Sequence, residues 1–326
     1  MRNLPAITIA LFTALLATSG NAFAVDSNLL NLVMPDAQVM AGVNVTNSEA
    51  TPLGAFLLAQ MSANDQALQQ LITQTGFDPR KDVTEVLAAS NGNTAAPASL
   101  ALSKGTFDVA KISAVAKPAQ VSTYNGATLI TLGTDGTSAV AFLGGTIAIA
   151  GNLASVKAAL DRSSAVNSIS PALAAQVQAL SASQDAWSIS LASLSALMPG
   201  AAKTGTTAAT GADAMASQAL GLVKNIQSCS AGLIFGANVQ FTAQAVADTP
   251  QDASALSDVI KMVTSLAAMG AASNKDAAAI AQLLQSLQVT TTGATVSLSA
   301  SIPESQVEAL LNSALKPNSQ PAKVKI

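Results

Sequence analysis

The sequence predicts an α+β fold: antiparallel sheets with helices packed on one face, in two loosely repeated units. Three observations predict it. Short runs of small and branched apolar residues alternate with the period of a strand. Asn125-Gly126 and Gly144-Gly145 sit between such runs as hairpin turns. Stretches of helical period, opened by Asp, Asn or Pro, separate the strand groups.

The elements follow in order. Asp36 to Val45 (DAQVMAGVNV) reads as a strand. Pro52 opens a long helical stretch carrying Leu53, Phe56, Leu57 and Met61, then Leu68, Leu71 and Ile72 after a polar break, with Gly76 as its stop. Asp78-Pro79 is an N-cap and N1 pair for a short turn. Val83 to Ala89 and Ala98 to Ser103 form strands joined around Gly92-Asn93. Asp108 caps a helix with Val109, Ile112, Val115 and Ala116 on its face. Val121 to Tyr124 pairs with Ala127 to Leu132, and Ala139 to Leu143 with Thr146 to Ala150. Asn152 caps a helix ending near Arg162.

The second half echoes this order. Leu173 to Leu180 is a linking helix and Asp185 to Leu194 an opening strand. Ala214 to Ile226 is a helix, and Ser228 to Ile234 and Ala237 to Ala247 are strands. Helices follow at Asp252 to Ala268 and Lys275 to Leu287. A hairpin crosses Thr292-Gly293-Ala294, and a closing helix starts with Pro303 at N1. The expected division is residues 25–165 and 166–316, with Lys316 to Ile326 as a frayed tail. Pro199 to Gly211, rich in Gly, Ala and Thr, reads as a loop.

Residues 1–24 read as a cleavable export signal. Arg2 gives a positive start, Ile7 to Ala17 an apolar run too short to span a bilayer, and Ala22-Phe23-Ala24 an A-x-A cleavage site. The mature chain is expected to begin at Val25 and to work in the periplasm or outside the cell. Removing the signal leaves about 300 of the 326 residues, a size for one large domain or two medium ones. No later segment has the run of a spanning helix. The single thiol, Cys229, allows no internal disulfide and reads as a structural residue.

Composition closes off several chemistries. Hydrophobic residues make up 50% and charged residues 10%, which excludes a disordered chain. The net charge is −3 with Lys and Arg scattered, so nucleic acid is not an expected partner. One Trp, one Tyr and eight Phe leave few stacking platforms for sugars or bases. Histidine is absent, which removes Ser-His-Asp and Cys-His catalysis, HExxH zinc chemistry and imidazole ligation.

FDPRKDVTEVLAAS at Phe77 to Ser90 is followed by TYNGATLITL, VAFLGGTIAIAG and NLASVKAALDR. On these stretches the chain resembles a group of exported bacterial proteins of unknown function. Their pattern is a Phe-Asp-Pro-x-x-Asp turn before a strand, later hairpins, and a helix ending in Val-x-x-Ala-Leu-Asp. The resemblance implies a fold and a compartment, and no activity. The second half lacks the Phe-Asp-Pro turn.

No residue is singled out as catalytic, cofactor-binding or metal-ligating, and no cofactor is expected. The densest charge cluster, Asp78, Arg80, Lys81, Asp82 and Glu85, reads as a capped, ion-paired turn. Ser313 and Lys316 have the S-x-x-K spacing but no companion motif. The reading is therefore a non-enzymatic exported protein with a scaffold or binding role toward an unknown protein partner. Two alternatives stand beside it. One is a carrier of an apolar small molecule, suited to an aliphatic interior with few rings. The other is a hydrolase using paired carboxylates.

Overall fold

The computed structural model describes residues 24–62, 66–93, 96–116, 120–133, 135–164, 169–192, 221, 224–271 and 285–315. The strands are β1 (Val39–Asn44), β2 (Val83–Ser90), β3 (Ser99–Gly105), β4 (Gln120–Tyr124), β5 (Ala127–Leu132), β6 (Ser138–Leu143), β7 (Ile147–Asn152), β8 (Ala186–Ser190), β9 (Ile226–Ile234), β10 (Asn238–Ala247), β11 (Gln288–Thr292) and β12 (Thr295–Pro303). The helices are α1 (Ser27–Leu32), α2 (Val45–Glu49), α3 (Pro52–Ser62), α4 (Gln66–Thr75), α5 (Pro79–Asp82), α6 (Val109–Val115), α7 (Leu153–Arg162), α8 (Pro171–Ser181), α9 (Pro250–Ala271) and α10 (Glu304–Leu315).

The fold is α+β. Its strands form one twelve-stranded antiparallel sheet, ordered β11-β12-β10-β9-β8-β1-β2-β3-β7-β6-β5-β4. The expected separate halves meet edge to edge where β1 pairs with β8. In each half, three successive strands pair in order and a later hairpin returns beside the third. The first half does this with seven strands and the second, among the described residues, with five.

One register row crosses the whole sheet: Ser122, Leu129, Ala141, Ile149, Leu102, Leu87, Gly42, Trp187, Gly232, Thr242, Ser299, Gln288. Partners in register point to one face, so the row is apolar over the first half and polar over the second. Helices α1, α7 and α8 cover the apolar part with Leu29, Leu32, Val156, Leu160, Leu173 and Val177. The opposite face carries α2 to α6 over the first half, and α9 over Val296 and Ala247 in the second. Helices thus cover both faces, where the sequence reading placed them on one. A period-2 strand with apolar residues on both sides, such as β6 (SAVAFL), needs cover on both.

Most local signals act as read. Asp78, Asp108 and Asn152 each accept a backbone N–H at their helix start. Asn125 (φ 47°) and Gly126 (φ 80°) form a turn whose twist suits a two-residue hairpin. Several boundaries differ, β7 starting at Ile147 and β8 ending at Ser190 among them, and α1 and α2 add two short helices that the sequence pattern did not show. Pro303 ends β12 rather than opening α10, because it still pairs in register with Asn238, and the next amide, of Glu304, donates to the Ala237 carbonyl. Ile226 begins β9 instead of ending a helix. The last hairpin turns on Gly293-Ala294, with Thr292 in the strand. The expected signal (1–24) apart from Ala24, the Pro199 to Gly211 loop, most of the expected helices at 214–226 and 275–287, and the tail from Lys316 lie outside the described residues. Among the described residues, no helix is long and apolar enough to cross a membrane.

Candidate functional site: an apolar cavity under the α2 to α6 roof

The chain leaves the sheet twice on the same face. Between β1 and β2 it builds α2 to α5, and between β3 and β4 it builds α6. The first excursion is held at each end. Asn44 Oδ1 accepts the Asn47 amide at 2.9 Å and starts α2 directly from β1. Thr51 Oγ1 accepts the Gly54 amide at 3.1 Å at the start of α3, where the Leu53 amide also donates to Glu304 of α10. Gly76, at φ 72°, stops α4, and the Asp78 cap turns the chain into β2.

This roof does not pack down on the sheet. It encloses a cavity of about 860 Å³. The floor is Val43, Val86, Ala101, Ser103, Ile130, Leu132, Val140, Phe142, Ala148 and Ala150 from strands β1 to β3 and β5 to β7. The roof is Val45, Ser48, Leu57, Leu58, Leu71, Ile112 and Ala116. Phe77, Phe107 and Phe142 close one side, with ring centroids 5.3 and 5.5 Å apart in succession. Ser48 and Ser103 carry the only polar side chains in this lining, and Ser48 Oγ already donates to the Asn44 carbonyl at 2.7 Å. Val43 and Leu132 remain 37% and 38% exposed, so the cavity reaches solvent at both.

The charge cluster divides. Asp78, Arg80 and Asp82 form the expected turn beside Phe77 at the cavity rim. Arg80 Nε and Nη2 donate to Asp78 at 2.8 and 2.7 Å, and the Asp78 amide donates to Asp82 at 2.7 Å. The Arg80 guanidinium holds the Asp78 carboxyl below its ordinary range. Glu85 is not part of this turn. A register shift in β2 between Val83 and Glu85 sends it to the other face, beside Asp26 and Lys104. Sequence spacing could not separate these residues.

Asp26 and Glu85 are neighbouring carboxylates on this other face. Asp26 pairs with Lys104 and accepts the Asn28 amide, while the adjoining recess measures only about 20 Å³. That space holds about one water molecule. Burial pushes the Glu85 carboxyl up. Burial also raises Asp26, but Lys104 and Asn28 together hold it below its usual value. Cys229 is half-buried in β9, and burial raises its thiol. Ser313 lies in the last turn of α10, with Lys316 outside the described residues. No group of three or more Asp, Glu, His or Cys is placed to hold a metal ion among the described residues.

The cavity itself left a faint signal in the sequence. Its floor positions alternate with core positions, and Val83, Val86, Ile130 and Phe142 are as apolar as their neighbours. Only the roof's failure to fill the space makes it a cavity, and that depends on non-local packing.

No protein-family model matches this chain, and no curated protein resembles it in sequence. Three crystal forms of TP0453 resemble it in structure. Form I is 8% identical with a TM-score of 0.48, covering 89% of this chain and 99% of that one. Form III is 10% identical at 0.51 over 89% and 99%, and form IV 9% identical at 0.51 over 88% and 97%. Forms III and IV show that the α+β fold described here recurs over nearly the whole length of another protein.

Proposed function

We propose that this protein is an exported, non-enzymatic carrier of an apolar small molecule, held in the cavity between the sheet and helices α2 to α6. One observation carries the reading: an aliphatic cavity of about 860 Å³ that reaches solvent. Its volume lies in the range of roughly 300–1,000 Å³ typical of small-molecule sites. Its lining offers no charge and almost no hydrogen-bonding group, so it selects for apolar bulk rather than for a reactive functional group. The absence of histidine and the engagement of Asp26 and Asp78 in ion pairs support a binding role over catalysis. The leader at residues 1–24 and the resemblance to exported bacterial proteins support a place outside the cytoplasm.

The test is direct. Protein purified under native conditions is analysed by native mass spectrometry and solvent extraction. It is then titrated with saturated fatty acids of increasing length, read by displacement of a fluorescent polyene acid. Each buried methylene contributes about 0.8 kcal/mol, so affinity should climb about fourfold per carbon until the cavity is full. An empty protein with no saturable, length-dependent binding would sink the proposal.

A further inference from the structure

Val25 is where the chain passes from exposed to packed. Ala24 is exposed, whereas Val25 and Asp26 are half-buried and Val25 packs against the core formed by α1, α7 and α8. The backbone here is held by side chains from distant segments. The Val25 N–H donates to Ser181 Oγ at 3.2 Å, and the Asp26 N–H donates to both Glu85 oxygens at 3.3 and 3.4 Å.

The recess around Val25 is lined by Val43, Asn44, Glu85, Ser181, Gln184 and Trp187. Two of its groups are incompletely partnered. Gln184 Oε1 is buried and accepts no hydrogen bond among the described residues. Among the described residues Glu85 makes no direct ion pair: Lys104 donates to Asp26 and reaches Glu85 only through its charge. Two carboxylates, Asp26 and Glu85, therefore face a single cation, Lys104. An unsatisfied buried acceptor is costly, and a half-buried carboxylate that shares its one cation is only partly compensated. The arrangement is one cation short.

We propose that cleavage between Ala24 and Val25 supplies this cation: the new α-ammonium of Val25 docks in the recess, donates to Ser181 and Gln184 and pairs with Glu85, so that processing completes the folded state. Hydrolysis of the Ala24–Val25 peptide by the signal-cleaving protease consumes one water. It gives a carboxylate on the departing leader and an ammonium on the chain. One amide donor becomes three, which matches the number of acceptors around it. The inference rests on reading residues 1–24 as a removed leader, and it is independent of what the cavity binds.

The sign of the pH dependence follows. An ammonium with a new partner has its pKa raised on folding. Its contribution is complete below the ordinary α-amino value of roughly 7.7–8.0 and is lost as pH rises through the folded value. The charged groups facing it are Glu85 from β2, Asp26 before α1 and Lys104 from β3. Each unit of upward shift corresponds to about a tenfold gain in the folded-to-unfolded ratio below that pH.

The experiment compares three chains: one beginning at Val25 with a free amine, the same chain N-acetylated, and one retaining Ala22-Phe23-Ala24. Their urea midpoints are measured at pH 6 and at pH 10, and the Val25 amine of the first is titrated by nitrogen-15 NMR. At pH 6 the free-amine chain should be the most stable, the gap should close at pH 10, and the amine should titrate above its ordinary range. Glu85→Gln should remove the gap while leaving the acetylated chain at least as stable as before. Equal midpoints at pH 6, or an ordinary amine pKa, would overturn the docking. Terminal sequencing of the protein recovered from producing cells tests the leader separately. A mature terminus other than Val25 would overturn the processing step even if the free amine docks in vitro.

Discussion

The indole of Trp187 lies across the bare Cα of Gly42. The two are register partners on β8 and β1, and a Cβ added to Gly42 would come within 2.6 Å of Cε2 and Cζ2 of that ring. This contact sits on the seam that makes one sheet out of two halves. It brings a 5%-exposed indole flat enough for α8 to pack behind it.

Gly42→Ala should therefore loosen the seam. The clash is with a rigid ring rather than a flexible chain end, so the cost should be about 1–3 kcal/mol, the usual range for overpacking. Trp187 is the only tryptophan, so its emission reports the seam without interference. The expected result is a lower urea midpoint together with a red-shifted emission in the folded state. An unchanged spectrum and midpoint would mean that the two strands part easily.

This seam marks the limit of what the sequence shows. Hairpins are legible because a short turn fixes its own conformation: Asn125-Gly126 closes β4 on β5 with two residues as read, whereas the β6–β7 turn takes Thr146 in as a third residue, so that Leu143 pairs with Ile147. Caps are legible because Asp78, Asp108 and Asn152 act within three residues of themselves. The pairing of β1 with β8 joins residues nearly 150 positions apart. The alternation of either strand says which face a residue takes, but not which strand lies beside it. The same reason hides the trio of Asp26, Glu85 and Lys104. Glu85 belongs by sequence to the Asp78 turn, and only the irregularity in β2 after Val83 carries it to the other face. The sequence does read the apolar character of the candidate site, since the floor residues are strand residues of ordinary hydrophobic type. The empty volume is set by how high α2 to α6 stand above them, a property of no single segment.

Filling that volume separates binding from folding. Ala148 lies on the cavity floor in β7, half-buried. Ala148→Phe places a ring in space that is otherwise unoccupied by side chains. Cavity-filling substitutions commonly add about 0.5–2 kcal/mol of stability. The urea midpoint should hold or rise while affinity for the longest bound acyl chain falls by an order of magnitude or more. Retained affinity in a well-folded Ala148→Phe protein would place the ligand elsewhere.

The Asp78 turn should dominate acid sensitivity at the cavity rim. Its carboxyl is held below its ordinary value of 3.8 chiefly by the hydrogen bonds from Arg80. A depressed carboxylate stabilises the fold above its unfolded value, and that contribution is lost as pH falls through the folded one. Asp78→Ala also removes an N-cap, a loss of about 1–2 kcal/mol at neutral pH. Asp78→Asn keeps a capping oxygen but not the charge. It should cost less at pH 7 and flatten the decline in stability below pH 4. Acid titrations of stability for the three proteins check this. Parallel curves for wild type and Asp78→Asn would remove Asp78 from the acid response.

Tyr124 offers a cleaner titration, because it is the only tyrosine in the chain. It closes β4 beside the Asn125-Gly126 turn, where its hydroxyl donates to Asp161 Oδ1 at 3.0 Å and Asn125 Nδ2 donates to the same oxygen at 2.7 Å. The bond to Asp161 stabilises the protonated phenol, and the carboxylate charge opposes its ionisation, so Tyr124 should titrate above 10.0. The ammonium of Lys157 sits over the same ring, 5.2 Å from its centroid. Asp161→Asn replaces a charged acceptor with a neutral one of the same shape. The near-ultraviolet absorbance of the phenolate should then appear at lower pH, with the hairpin still formed. Since a raised phenol pKa stabilises the fold only until pH passes through it, wild type should also lose hairpin order at a higher pH than Asp161→Asn. Coincident titration curves would show that β4 and α7 are not held together through this carboxylate.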